Sequence, residues 1–186
     1  LVVNAYIIPE QGFVDGIRRL VDRGVRVEIL TNSLESHDVP AVNSHYQKWR
    51  KPIIEAGAGL HEMRADPAIK SRVDTHPVTS KFSGLHTKAF VVDRRKVFIG
   101  SMNFDPRSVY INTEMGVLID SPSLGEAMAA LALRDMRPEN AWRVTLNDRG
   151  TLVWTNSDET VSRQPARNFW QRIADGFFKL LPKNQF

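Results

Sequence analysis

The first 32 residues constrain the fold more than any other stretch. Residues 2–8, VVNAYII, read as a buried strand. Phe13, Val14, Ile17, Leu20 and Val21 then recur at helical spacing between Gln11 and Gly24, with Gly24 where a C-terminal cap belongs. VRVEILTN, 25–32, alternates as a second strand and runs into the polar corner Thr31-Asn32-Ser33. Strand, helix, strand in so short a span is a βαβ unit, which argues for a parallel core sheet. The expected fold is therefore α/β: a mixed, largely parallel sheet flanked by helices. At 186 residues the chain can bury a real core as one domain, or form one lobe of something larger.

Further along, Asp38 to Gly57 reads as a helix with Asp38 as N-cap and Pro40 in the first turn. It carries His45, Tyr46, Trp49 and Arg50, and Trp49 is expected to pack on the sheet. GLHEMR, 59–64, is a short strand in which His61 is structural. Residues 65–84 have no period and hold three basic side chains, Lys70, Arg72 and Lys81. So long a loop is a candidate substrate lid; its His76 reads as a solvated surface residue. INTEMGVLID, 111–120, reads as a strand and Pro122 to Arg137 as a packing helix. AWRVTL and GTLVWTN form a hairpin about Asn147-Asp148-Arg149-Gly150.

The chemistry gathers in HTKAFVVDRRKVFIGSMN, His86 to Asn103. Side chains alternate along a strand, so His86, Lys88, Phe90 and Val92 share one face. The basic turn Asp93-Arg94-Arg95-Lys96 should return the chain so that Gly100-Ser101-Met102-Asn103 comes back beside His86. A proton carrier or nucleophile, a fixed cation and a small polar cluster would then meet at one spot. That combination suits a phosphate group.

His86-x-Lys88, four residues, Asp93, six residues, Gly100-Ser101-x-Asn103 resembles the signature of the phospholipase D superfamily at every specified position. Chance would produce six such residues at fixed spacing in a chain this long only about 10⁻⁶ to 10⁻⁵ of the time. The resemblance implies a Glu shortly after the Asn, and Glu114 fits. It implies that the Asn32 corner lines the site and that His45 or Tyr46 reaches substrate. Asp93 and Gly100 are expected to be structural, Asp93 holding the turn. The region from AWRVTL to FFKLLP also resembles the tail of bacterial cardiolipin synthase-like members. The chain then divides into a catalytic lobe, 1–140, and a C-terminal hairpin with an amphipathic helix, 141–186.

A phosphodiester is anionic and has a poor leaving group. Lys88 and Asn103, with Ser101 in support, can donate to its non-bridging oxygens as charge develops. An imidazole can attack phosphorus to make a phosphohistidine, splitting one hard step into two. A second imidazole must protonate the departing alkoxide and deprotonate the incoming alcohol or water. Glu114 is expected to hydrogen-bond the other imidazole nitrogen. No cofactor and no metal are needed. The mechanism requires two histidines in equivalent settings, however, and the chain holds one signature. The resemblance implies that the partner is a missing N-terminal half or a second copy in a homodimer, and YIIPEQG at 6–12 looks like the start of a second half. Which role His86 takes is open.

The formal net charge of +4 and pI of about 9.6 favour anionic partners. Cysteine is absent, which excludes disulfides and thiolate chemistry. No apolar run approaches the ~20 residues of a spanning helix. Within RNFWQRIADGFFKLLP, Phe169, Trp170, Ile173, Ala174, Phe177, Phe178 and Leu181 follow helical spacing with basic residues opposite, a pattern suited to a membrane surface or to docking on the domain. The resemblance to cardiolipin synthase-like proteins implies an anionic, phosphatidylglycerol-like phospholipid substrate, with phosphatidyl transfer at the bacterial inner membrane by a peripheral protein. Hydrolysis of phosphodiesters as a phospholipase D or nuclease of the same superfamily, and a non-catalytic lipid-binding lobe, are the alternatives. Nucleic acid is disfavoured because the basic loop lacks interleaved aromatics.

Overall fold

A computed structural model describes residues 1–74, 77 and 80–178. Nine strands form one mixed sheet in the order β6-β5-β4-β1-β2-β3-β7-β8-β9. They are β1 (Val2–Asn4), β2 (Glu28–Asn32), β3 (Gly59–Met63), β4 (Lys88–Val92), β5 (Lys96–Gly100), β6 (Gly116–Asp120), β7 (Ala141–Leu146), β8 (Leu152–Thr155) and β9 (Thr160–Val161). Parallel pairing is confined to β1, β2 and β3 at the centre; every other pair is antiparallel. The sheet is thus mixed as expected, but parallel only where the βαβ unit makes it so.

Alternation along β2 sends Ile29 and Leu30 into different cores. Ile29 packs with Ile7, Val14, Ile17, Ile53, Leu60 and Val144 beneath α1 (Gln11–Asp22) and α3 (Arg50–Glu55). Leu30 packs with Met63, Met136 and Ala141, while Val91, Val97 and Ala129 form a neighbouring cluster under α6 (Pro122–Asp135). Helices therefore cover both faces. Gly24 follows α1 at φ 81°, the left-handed stop its position predicts.

The helix expected over 38–57 is α2 (Pro40–Tyr46), a 3₁₀ turn at Gln47–Trp49, and α3. Val39 is its N-cap. Asp38 does not cap it, because its carboxylate accepts the Tyr6 hydroxyl instead, at 2.8 and 2.9 Å. In the loop before β4, residues Lys70–Val73 form a helical turn, α4, and His76 lies outside the described residues. The strand expected over 111–120 begins only at Gly116, since residues 112–115 are held by side-chain bonds described below. A short helix unforeseen in the sequence, α5 (Pro106–Tyr110), precedes it, capped by Asp105 Oδ1 accepting Ser108 N at 2.7 Å. The sheet does not stop at residue 140: β7 pairs with β3, and the 141–155 hairpin closes through Gly150 at φ 68°. The last described helix is α7 (Phe169–Phe178).

Candidate active site

The site lies at the carboxyl ends of the parallel strands, where open α/β sheets offer a crevice. β4 pairs with β1 in the register Asn4↔Lys88, so Lys88 enters the sheet beside Asn4. Asn4 is buried and Nδ2 donates to Met102 O at 3.2 Å, while its Oδ1 accepts Tyr6 N at 3.2 Å and Phe104 N at 3.4 Å. Ile7 and Phe104 form a parallel bridge just beyond. These bonds bring the Gly100–Asn103 corner back to the strand end that carries His86 and Lys88.

His86 is exposed at the mouth, and its chain neighbours are fixed. Thr87 O accepts Ala5 N at 3.0 Å. On the other side, Asn32 Nδ2 donates to Leu85 O at 2.9 Å and Oδ1 accepts Leu85 N at 2.8 Å. The Tyr6 ring meets the imidazole edge-on, centroids 6.1 Å apart at 80°. Lys88 Nζ donates to His86 O at 2.9 Å and stands 5.4 Å from the Tyr6 ring centre. Its other N–H donors have no acceptor among the described residues, leaving them for a substrate oxygen. Burial pulls the Lys88 ammonium below the usual lysine range, with partial compensation from the charges of Asp38, Glu114 and Asp105.

Asn103 Oδ1 is buried and has no donor among the described residues. An unsatisfied buried polar atom costs roughly 1–3 kcal/mol, and native proteins keep few of them. Ser101, by contrast, is fully engaged. Its hydroxyl donates to Glu114 Oε2 at 2.5 Å and accepts Met115 N at 2.9 Å, and Ser101 N donates to Met115 O at 2.8 Å. Ser101 therefore holds Glu114 rather than pointing at substrate. Asn112 Nδ2 adds a bond to Glu114 Oε1 at 3.3 Å, so the carboxylate bonds these two residues rather than His86. The bond from Ser101 first, with that from Asn112 and the charge of Lys88, holds Glu114 below the usual carboxylate range. It stays anionic beside the cation.

Two of the three expected substrate contacts, Asn32 and Tyr46, have partners inside the protein. Asn32 is buried, and besides its two bonds to Leu85 it donates to Ala5 O at 3.1 Å and accepts Ser36 Oγ at 3.0 Å. All four polar valences are used inside the protein. His45 is buried on α2. Tyr46 is in the core with the Arg50 guanidinium 4.8 Å from its ring centre, and Arg50 pairs with Glu62 at 2.6 Å. Asp93 is at φ 52° in the turn between β4 and β5, and the close approach of Met115 O to Gly100, 2.6 Å from where a Cβ would be, leaves no room for a side chain.

Sequence reasoning missed Tyr6 and Asp38. Tyr6 stacks on His37, 5.3 Å between ring centres at 9°, and touches both His86 and Lys88. The Asp38 carboxyl is held well below its usual range, first by His37 and also by the Tyr6 hydroxyl. Only the run of Tyr6 into the strand end marked this position in advance. Among the described residues no group of acids, histidines or cysteines is arranged to hold a metal.

The sequence profile described as "Cardiolipin synthase, PLD-like domain" matches residues 1–136. The chain belongs to this phospholipase D-like family. It is 33% identical over 186 residues to cardiolipin synthase C of Escherichia coli K12, covering 97% of this chain and 39% of that protein. It is 26% identical over 119 residues to cardiolipin synthase B of the same strain, covering 64% of this chain and 24% of that one. The chain thus spans well under half the length of these relatives. Among solved structures, the phospholipase D family member Nuc of Salmonella typhimurium superposes with a TM-score of 0.55 at 21% identity, covering 76% of this chain and 80% of that one. Phosphatidylserine synthase of Haemophilus influenzae gives 0.51 at 17% identity, covering 75% and 32%. The likeness to these two solved structures is one of fold.

Proposed function

We propose that this lobe supplies one half of a phosphatidyltransferase site of cardiolipin synthase type. The observation that carries it is Lys88, held against His86 O with further donors unclaimed, at the strand end to which the Met102–Asn103 corner is tied by Asn4. Such a cation is suited to neutralise the non-bridging oxygens of a phosphodiester as negative charge builds on them. One imidazole attacks phosphorus and expels the headgroup alkoxide, which takes a proton from the second imidazole. That second ring then removes the proton of an acceptor alcohol, whose oxygen attacks the phosphohistidine and frees the first ring. Both covalent steps displace a group at phosphorus, so the diester is conserved.

The second imidazole comes from another lobe of the same kind, in a longer polypeptide or a second copy. Val109, Tyr110, Ile111, Met115 and Leu118 support this, since they lie open in the segments that follow the Asn103 corner and flank Glu114. The lipid reading draws on the 33% identical relative named cardiolipin synthase C. Peripheral attachment to the inner membrane accords with the described helices, none of which is long and apolar enough to span a bilayer.

The test is to give the intact protein vesicles of phosphatidylglycerol and identify products by mass spectrometry. Cardiolipin and free glycerol are expected. Phosphatidic acid with glycerol would make water the acceptor and the protein a phospholipase. Cleavage of oligonucleotides with the lipid left untouched would end the lipid reading altogether.

A further inference from the structure

Helix α7 is docked the wrong way round for a globular protein. Its polar side faces the domain. Asp175 is 2% exposed, and its carboxylate accepts Asn43 Nδ2 at 2.7 Å, Gln47 Nε2 at 2.6 Å and Gln164 Nε2 at 3.1 Å. Gln171, also buried, donates through Nε2 to Leu34 O and accepts Arg167 N at 2.8 Å. A buried carboxylate is tolerable only with such donors, so these bonds fix which side of the helix faces in. The outward side is then the apolar one: Phe169 is 67% exposed, Trp170 74%, Ile173 46% and Phe177 62%. At 100° per residue these four fall within one narrow stripe.

We infer that this stripe is a membrane-docking surface that seats the protein on an anionic lipid monolayer with the His86 mouth beside it. A helix with Trp and Phe along an exposed apolar face and cations around it has the make-up of one lying in the plane of the interface. The charge fits an anionic surface. Residues 163–186 hold five basic side chains, Arg163, Arg167, Arg172, Lys179 and Lys183, against one acid, Asp175, which is turned inward. The helix is also tied to the site. Arg167 Nη2 donates to His37 O at 3.1 Å, His37 stacks on Tyr6, and Tyr6 meets the His86 ring. Arg167, two residues before α7, is therefore three contacts from the His86 ring. The inference adds a partner to the lipid reading above and rests on it only for what the docking serves.

The test uses the intact protein and vesicles of equal parts phosphatidylglycerol and phosphatidylcholine. Phe169→Ser, Trp170→Ser and Phe177→Ser combined should weaken vesicle binding by about tenfold or more, with an unchanged melting temperature. In the wild type, lipids brominated in the acyl chain should quench Trp170 emission, and Trp170→Phe should remove that quenching. Unchanged binding by the triple variant would overturn the inference, as would a wild type that ignores vesicles. So would a fall in solution mass of the triple variant with no loss of vesicle binding, which would assign the stripe to a protein contact. The readout is binding, so a protein that bound vesicles yet transferred no headgroup would sink the transferase reading and leave this one standing.

Discussion

Asn32 grips Leu85 by both of its backbone polar groups: Oδ1 accepts Leu85 N at 2.8 Å and Nδ2 donates to Leu85 O at 2.9 Å. The end of β2 thereby fixes the residue just before His86, across 53 positions of sequence. Asn32→Ala should lower turnover by about 10²-fold through misplacement of the imidazole, while vesicle binding holds. Asn32→Asp keeps the acceptor for Leu85 N and should retain part of the activity. Equal, full activity in both variants would remove this positioning role.

Lys88 gives the alkaline limb of the pH profile. Burial lowers its pKa, so its cation is lost at a lower pH than an ordinary lysine would lose it. The rate should fall on the alkaline side earlier than an exposed lysine predicts. Lys88→Met should cost about 10²–10³-fold in kcat and abolish that limb. A limb that persists in Lys88→Met belongs to another group.

Ser101 is expected to act through Glu114. Its hydroxyl is the first cause of the lowered Glu114 pKa, so Ser101→Ala raises that pKa toward the usual range. A carboxylate with a raised pKa becomes protonated at higher pH, so the acidic edge of the activity profile should move upward in Ser101→Ala. The check is a kcat/KM profile of both proteins; coincident acidic edges would show that Glu114 does not govern that edge.

Acid stability should depend on Glu28. Burial alone would raise its pKa, but bonds from His61 and Arg26 and the charge of Arg143 outweigh that and take it down to about 2. His61 Nε2 and Arg143 Nη1 converge on Glu28 Oε2 at 2.9 and 3.0 Å. A depressed pKa contributes stability that is complete above the usual carboxyl range, about 4.3, and is lost as pH falls toward 2. Glu28→Gln should therefore lose roughly 1–3 kcal/mol at pH 7 and show a flatter dependence of melting temperature on pH below 5. Gly59→Ala should do similar damage, since a Cβ there collides with the Glu28 carboxylate.

Much of this architecture was legible along the chain because its signals are local. Period-two alternation and a tight turn place β4 and β5, and the spacing of His86, Lys88, Ser101 and Asn103 survives folding because one hairpin carries it. The parallel centre followed from the βαβ unit, whereas the antiparallel flanks depend on pairings between distant strands. Asn32, His45 and Tyr46 read as site residues because a polar corner and a ring-bearing helix look alike whether they face substrate or core. Tyr6 joins Asp38 across 32 residues, a relation that no periodicity records. Helical spacing put Phe169, Trp170, Ile173 and Phe177 on one stripe of α7 but left open which side docks, and Leu181 lies outside the described residues. Asn43, Gln47 and Gln164 decide that by converging on Asp175.

The central claim is that His86 is one of the two reacting imidazoles, and the direct measurement is turnover of phosphatidylglycerol by the intact protein carrying His86→Ala. Loss of at least about 10³-fold in kcat, with an unchanged melting temperature, is the predicted result. Turnover within a few-fold of the wild type would contradict it, and the lobe would then be a phosphate-binding surface without a catalytic part.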